Sequence, residues 1–333
     1  MLTAMSEFDL IARYFTRSTP RAVLGVGDDC ALLQPAPGTQ MAISCDMLVQ
    51  GRHFFADVDP AALGHKALAV NLSDLAACGA TPLAFTLALA LPLADDAWLA
   101  PFSRGLLALA DAHGCELVGG DTTQGPLNIC ITVFGEVPVA HGRSQALLRS
   151  GARAGDDVYA SGTLGDARLA LDALRGTLAL PAAVLAQARQ RLEQPTPRVA
   201  LGQALRGVAS AAIDVSDGLL GDLRHILKAS GVGATIDTSV AINLIASSHH
   251  SDWATGLISL RNQLEYVLAG GDDYELAFTA PASARDAVQA AARQARTPVT
   301  RIGRIEPQAG LRLVDGQGQA LPAHSFASFD HFA

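Results

Sequence analysis

The sequence predicts an α/β protein with mixed sheets in two domains, and three features carry that prediction. Segments with the two-residue alternation of a strand are followed repeatedly by segments with helical spacing. The chain has 333 residues, half of them hydrophobic, which is more than one small core takes up. A Gly-, Arg- and Ser-rich stretch, PVAHGRSQALLRSGARAGD at 138–156, separates the two halves as a connection would.

Taken in order, MAISCDMLV (41–49) reads as a strand. ALGHKALAVNLSDLAACGA (62–80) reads as a helix, with Ala67, Asn71, Asp74 and Cys78 on one narrow, small and polar face at steps of three and four. LAFTLALAL is a second strand, and DDAWLAPFSRGLLALADAHG a helix that opens on acidic residues and closes on glycine. ELVGGDT is expected to end a strand in a tight turn. NICITVFGEV alternates, with Ile129, Ile131 and Val133 on one side. In the second half DVYASG is a strand and TLGDARLALDAL a helix, and SAAIDVSDGLLGDLRHILKASG (210–231) is a strand running into a helix at Asp217. YVLAGGDDYELAFTA holds a turn and a strand, and PASARDAVQAAARQAR a surface helix. PVTRIGRIE and LRLVDGQGQAL finish the sheet, the last with a D-G hairpin signal. Each half carries Ser-Asp at an expected helix start (Ser73-Asp74, Ser216-Asp217) and then Gly-Gly-Asp (119–121, 270–272), an echo that leaves an internal duplication open.

Composition excludes several classes. A net charge of −8 argues against nucleic acid, whose phosphates select a basic surplus. Five cysteines (30, 45, 78, 115, 130) form no C-x-x-C pair and read as buried, reduced thiols of a cytoplasmic protein. The start, MLTAMSEFDLIARYFTR, has acidic residues and no continuous apolar core, unlike a signal peptide. The longest apolar run, PLAFTLALALPLA, is shorter than the ~20 residues of a membrane span. The His249-His250 pair reads as a solvated loop.

Chemistry concentrates in Asp28, Asp29, Asp46, Asp74, Asp121, Asp214 and Asp217, each at the end of an apolar segment or a helix start. Singly, Asp74 and Asp217 read as helix N-caps, but Asp46 inside a strand is out of place. If the set converges it requires a counter-charge, because two carboxylates ~4 Å apart repel by about 4 kcal/mol at an effective dielectric near 20. The chain has two lysines, Lys66 and Lys228, and its arginines are not interleaved with these motifs. Oxygen donors without a histidine or thiolate cluster suit Mg²⁺ or Mn²⁺, and Mg²⁺ binds through a few carboxylates together with substrate phosphates. A nucleotide polyphosphate is the expected ligand. No Walker A or protein-kinase motif occurs. Phosphate is therefore expected on metals, on the backbone N–H groups of Gly119-Gly120 and Ser216-Asp217-Gly218, and on Arg149.

GVGDDCALL, ISCDMLVQGRHF, KALAVNLSDLAACGATP, LVGGDTTQG, LLRSGARAGD, AIDVSDGL, GGDDYEL and the closing FDHF, in this order, resemble the thiamine-monophosphate kinase family. That family belongs to the aminoimidazole-ribonucleotide-synthetase-like superfamily of ATP users. The resemblance runs from about residue 6 to the C-terminus. It implies two α/β domains: 1–140, with most of the metal-binding aspartates and the dimer interface on its sheet, and 150–333, completing the ATP and substrate site. It implies a homodimer that phosphorylates thiamine monophosphate to thiamine diphosphate, with ATP as co-substrate and several Mg²⁺ ions. It assigns Asp29, Ser44, Cys45, Asp46, Asp74, Asp121, Asp214 and Asp217 to Mg²⁺, with Asp46, Asp74 and Asp217 in the catalytic role. Gly120, Asp121, Arg149 and Ser216 fall to ATP, and His53, Asp272 and Phe329 to the thiamine phosphate. Cys45 and Asp272 depart from the commonest pattern, threonine and glutamate respectively. A backbone carbonyl ligand at residue 45 makes the first harmless, whereas the shorter Asp272 reaches less far.

The chemistry is self-consistent. A phosphate monoester, with a second pKa near ~6, is already largely ionised at neutral pH, so its oxygen attacks without a general base. The barrier is repulsion between anions, which cations relieve. Direct in-line transfer without a phospho-enzyme is expected. The competing readings are another ATP-dependent enzyme of the superfamily, a Mg–ATP sensor without turnover, and a metal-dependent phosphatase.

Overall fold

In a computed structural model, residues 6–245, 258–322 and 326 are described. The chain divides into two compact units, Met1–Leu75 with Ala80–Gln145, and Ala76–Gly79 with Ala146–Ala333.

The first unit opens with a short helix, α1 (Glu7–Leu10), capped by Ser6 and continued by a π-helical turn at Ile11–Phe15. Then follow β1 (Thr39–Val49), α2 (Pro60–Ala77), β2 (Thr81–Leu91), α3 (Asp96–His113), β3 (Glu116–Gln124), β4 (Asn128–Ala140) and the two-residue β5 (Arg143–Ser144). The sheet runs β1-β4-β2-β3, with β5 on β4. β4 is antiparallel to β1 and β2, whereas β2 and β3 are parallel, the pairing that a crossover helix such as α3 permits. Helix boundaries follow local chemistry. Asp59 precedes Pro60 and accepts the Ala62 N–H at 3.1 Å, and Pro at the first helical position forfeits nothing. Asp95 caps α3, and Gly114, at φ +58°, ends it in the left-handed conformation. The two helices touch through glycines: a Cβ at Gly64 would lie 2.1 Å from the Phe102 carbonyl oxygen, and one at Gly105 1.9 Å from that of Ala61.

The second unit comprises β6 (Asp157–Ser161), α4 (Asp166–Leu174), α5 (Ala182–Glu193), α6 (Val199–Ala204), β7 (Ala211–Val215), α7 (Leu219–Ser230), β8 (Gly233–Asp237), α8 (Thr238–Ala241), α9 (Leu260–Ala269), β9 (Glu275–Ala280), α10 (Arg285–Ala295), β10 (Val299–Glu306), β11 (Gly310–Val314) and β12 (Ala320–Leu321). Its sheet order is β12-β11-β8-β10-β6-β9-β7, mixed because β11 and β8 run parallel among antiparallel neighbours. The core joins Val158, Ala160, Ile213 and Val215 to Leu220, Leu223 and Ile226 of α7, whose apolar residues recur at helical spacing.

Four expectations change. Gly119-Gly120-Asp121 is not a turn but lies within β3, where Gly119, Gly120 and Asp121 pair with Thr86, Leu87 and Ala88 after a one-residue bulge at Val118. Gly120 takes φ +149° and a Cβ there would sit 1.8 Å from the Leu87 carbonyl oxygen, so glycine serves close strand packing rather than reversal. Ser73-Asp74 lies in the last turn of α2, not at a helix start, so the Ser-Asp and Gly-Gly-Asp pairs of the two halves occupy unlike places. The start of the expected connection is structured, since β4 continues through Ala140 with Pro138 opposite Thr39, and Arg143–Ser144 form β5. The cysteines are not uniformly buried: Cys115 is, whereas Cys30 and Cys45 are exposed.

Candidate active site

In the first unit, the loop carrying Asp28 and Asp29 is pinched by a bridge between Leu24 and Leu32, and Gly27 at φ +127° reverses it. The Asp29 N–H donates to the Asp28 carboxylate at 2.9 Å, which leaves both side chains exposed. Asp28, Asp29, Gly120 and Asp121 line one cavity of ≈ 590 Å³ together with Phe8, Ile11 and Phe15. Carboxylates and aromatic rings thus share one hollow.

The small polar stripe of α2 faces β1. The Ser44 hydroxyl donates to the Asp74 carboxylate, and the Asp46 N–H donates to Asn71 Oδ1 at 3.0 Å. Asn71, fully buried, returns its amide N–H to the Ala67 carbonyl at 3.0 Å. Asp74 therefore sits inside the helix with its carboxylate turned to β1, and it caps neither helix end. Alternation along β1 sends Cys45 to the opposite face, its Sγ 3.5 Å from Cys130 Sγ. Its side chain does not join Ser44 and Asp46. Burial pushes Cys130 up to about 11 and Cys115 up to about 12. His53 closes the turn after β1: its ring Nδ1 accepts the Val49 N–H at 3.0 Å. An accepting Nδ1 places the ring proton of the neutral imidazole on Nε2 as a donor. The buried Lys66 donates to the His53 carbonyl at 3.4 Å.

In the second unit, Asp214 lies buried in β7 opposite Leu276. Ser216, Asp217 and Gly218 bridge β7 to α7. Their three N–H groups, expected on a phosphate, all donate to one oxygen of Asp222, at 3.0, 3.1 and 3.1 Å. Gly218, not Asp217, occupies the N-cap. Burial, and then the charge of Asp217, push the Asp222 carboxyl up to about 7 against the pull of those N–H groups. Asp272 takes φ +65°, its N–H donates to the Ser216 carbonyl at 2.8 Å, and Tyr274, at φ +51°, donates its N–H to Val215 at 2.8 Å. Such φ values are rare outside glycine, and the neighbouring residues fix them. Asp273, fully buried, accepts the Gly165 N–H, and burial raises its pKa well above the ordinary value. Glu275 accepts from Ser161, Arg191 and Arg198. Arg149 is exposed, its carbonyl accepting from Ser230 at 3.3 Å. Phe329 and His249-His250 lie outside the described residues.

Residue patterns point to Asp29, Asp121, Asp74 and Asp217 and place Asn71 on the polar face of its helix, but they do not mark Lys66, Asp222, Asp273 or Glu275. The latter act through contacts between elements, for which spacing carries no mark. Among the described residues no group of three or more His, Cys, Asp or Glu side chains stands ready to hold an ion. The donors lining the cavity are the carboxylates of Asp28, Asp29 and Asp121 together with Thr86 and Thr122, with no thiolate or imidazole among them. That set fits Mg²⁺, which takes one or two carboxylates and fills its remaining positions with water and phosphate.

Residues 27–137 match the AIR synthase related protein, N-terminal domain, and residues 153–316 the corresponding C-terminal domain. The fold is thus that of the AIR-synthase-related proteins. Within them, the chain belongs to the thiamine-monophosphate kinase family. It is 46% identical to the thiamine-monophosphate kinase of Salmonella typhimurium, over 99% of each chain. The crystal structure of thiamine-monophosphate kinase from Stenotrophomonas maltophilia K279a is 45% identical and superposes with a TM-score of 0.80, covering 94% of this chain and 95% of that one. AaThiL complexed with AMPPCP and TMP is 28% identical with a TM-score of 0.75, covering 90% and 89%.

Proposed function

We propose that this chain transfers the γ-phosphoryl group of ATP to thiamine monophosphate, giving thiamine diphosphate and ADP, a step of thiamine diphosphate biosynthesis. The observation that carries the reading is the cavity shared by Asp28, Asp29 and Asp121 with Phe8, Ile11 and Phe15. A magnesium nucleotide presents both partners such a hollow accepts, a charged phosphate–cation end and a flat apolar base. A relative bearing AMPPCP and TMP supports the same pair of ligands.

Asp29, Asp46, Asp74 and Asp121, with Ser44 and the backbone carbonyl of Cys45, are assigned to Mg²⁺, as are Asp214 and Asp217. Bound Mg²⁺ supplies charge neutralisation and alignment of the phosphates. Gly120, Asp121, Arg149 and Ser216 are assigned to ATP. The Nε2 proton of His53 suits a hydrogen bond to the phosphate of thiamine monophosphate. Asp272 offers a carboxylate to the cationic thiazolium, and Phe329 an aromatic face. A substrate phosphate oxygen attacks the γ-phosphorus and the bond to the ADP oxygen breaks in line. The dianion needs no base, and none of these roles requires a phospho-enzyme.

Among the described residues no helix is long and apolar enough to cross a membrane. Free thiols fit a reducing, cytoplasmic setting. Ile43 and Met47, exposed beside Cys45 on one face of β1, support a second copy of the chain against that sheet. Sedimentation then gives a dimer for the wild type and a monomer for Ile43→Asp.

The function is tested by ADP release with thiamine monophosphate, with thiamine, and with no acceptor. Turnover confined to the monophosphate is expected. ADP release independent of acceptor, or phosphate release without ATP, overturns it.

A further inference from the structure

Asp222 has no assigned part in this chemistry, yet it stands behind three residues that do. We infer that Asp222 is a positioning residue: its buried carboxylate, accepting three consecutive N–H groups, holds Ser216 and Asp217 in place and, through Ser216, Asp272. The inference rests on the roles given above to those three residues.

The geometry is specific. Asp222 lies one turn into α7, its own N–H bonded to the Gly218 carbonyl at 3.0 Å. From there its side chain reaches back over the helix start to the N–H groups of Ser216, Asp217 and Gly218, at 3.0–3.1 Å. A concave run of N–H groups is a place where proteins often seat anions. Here the occupant is an internal side chain, its oxygen set at the positive end of the α7 dipole. The turn so fixed is keyed to its neighbour. Asp272 donates its N–H to the Ser216 carbonyl at 2.8 Å. A Cβ on Gly271 would stand 2.6 Å from that carbonyl oxygen, and one on Gly218 2.8 Å from the Ala269 carbonyl carbon. The two loops are thus packed backbone against backbone. Ser216, Asp217 and Asp272 therefore move as one group, and Asp222 is its peg. Loss of the peg leaves three backbone donors to find other partners, and the two loops lose the reason for their conformation.

The test compares Asp222→Ala, Asp222→Ser and Asp222→Asn in the full chain, since asparagine retains an acceptor oxygen where alanine has none. Kinase turnover is expected to fall about 100-fold in D222A, the scale of a small misplacement of reacting groups. D222N stays within about fivefold of wild type, and D222S lies between. In parallel, amide hydrogen exchange followed by NMR reads the 216–218 N–H groups directly: protected in wild type and D222N, unprotected in D222A. D222A with wild-type turnover, D222A with those amides still protected, or D222N as impaired as D222A overturns the inference. Should D222A not fold, the order wild type, D222N, D222S carries the kinetic test, and equal losses in the last two overturn it. Wild type without acceptor-dependent turnover counts against the kinase reading instead, while the exchange measurement still decides the role of Asp222.

Discussion

The carboxylates of the two units are used in opposite ways. In the first unit Asp28, Asp29 and Asp121 lie exposed around a cavity. In the second, Asp222, Asp273 and Glu275 are buried and take their hydrogen bonds from inside the protein. An exposed carboxylate keeps its water at little cost and gives it up when a cation arrives. A buried one is tolerable only with partners already in place. Exposed acids are thus available to a ligand, whereas Asp222, Asp273 and Glu275 are committed to partners inside the fold; Asp214, buried and yet proposed for Mg²⁺, departs from this division. Asp74 stands between these types: half-buried, and accepting from Ser44.

That contrast fails first, if it fails, at Asp74. Asp74→Asn keeps an acceptor for Ser44 and removes the charge, so turnover is expected to drop about 10³-fold, a loss of electrostatic stabilisation of roughly 4 kcal/mol. The melting temperature stays near wild type. A normal kcat makes Asp74 a structural acid and erases the distinction at its sharpest point.

Glu275 tests the other side. Its side chain is fully buried, between Arg191 and Arg198, whose side chains are 15% and 16% exposed. Glu275→Ala leaves two guanidinium groups without their anion, which costs about 3–5 kcal/mol and, for a unit of this size, lowers Tm by roughly 10 °C. Glu275→Gln, which preserves one acceptor, loses less. A variant as stable as wild type shows that the cluster is ornamental to the fold. Arg149 comes next. Exposed and assigned to ATP, Arg149→Ala should raise KM for ATP about tenfold, the worth of one charge-assisted contact, and leave Tm unchanged. An unmoved KM removes it from the site.

The sequence made the elements legible because their periods are strong. β4 buries Ile129, Ile131 and Val133 as alternation requires, and α3 begins and ends on its capping residues. The acidic positions were legible too, because aspartate beside glycine or within a strand is conspicuous. What stayed hidden was each residue's partner. Asp74 looks like a cap in one dimension, and its hydrogen-bond partner Ser44 lies 30 residues away. Gly119-Gly120 looks like a turn until β2 lies beside it. Glu275 draws on arginines 77 and 84 residues earlier, a separation at which no spacing rule operates. Asp222 falls on the helical period of α7, so nothing in LLGDL distinguishes it from a helix-interior residue.

The smallest expected effect falls on an acid that mixes both types. The Asp157 side chain is buried, 2% exposed, but its partners Arg285 and Arg301 are half in solvent, at 52% and 55%. The hydrogen bond from Arg285, at 2.6 Å, is the leading cause that holds the Asp157 pKa below the ordinary carboxylate range, with Arg301 adding to it. A depressed folded-state pKa stabilises above the unfolded value, and that contribution disappears as the pH falls through the folded one. Asp157 therefore strengthens the second unit at neutral pH and ceases to do so in acid. Because water screens both arginines, the contribution is small. Arg285→Ala lets the Asp157 pKa rise, so the small stabilisation is lost in full at neutral pH, and acid unfolding should begin at slightly higher pH than in wild type. Circular dichroism followed from pH 7 to pH 2 distinguishes the outcomes. An acid midpoint that does not move assigns the pair no share in stability and confines the buried-acid rule to carboxylates whose partners are buried too.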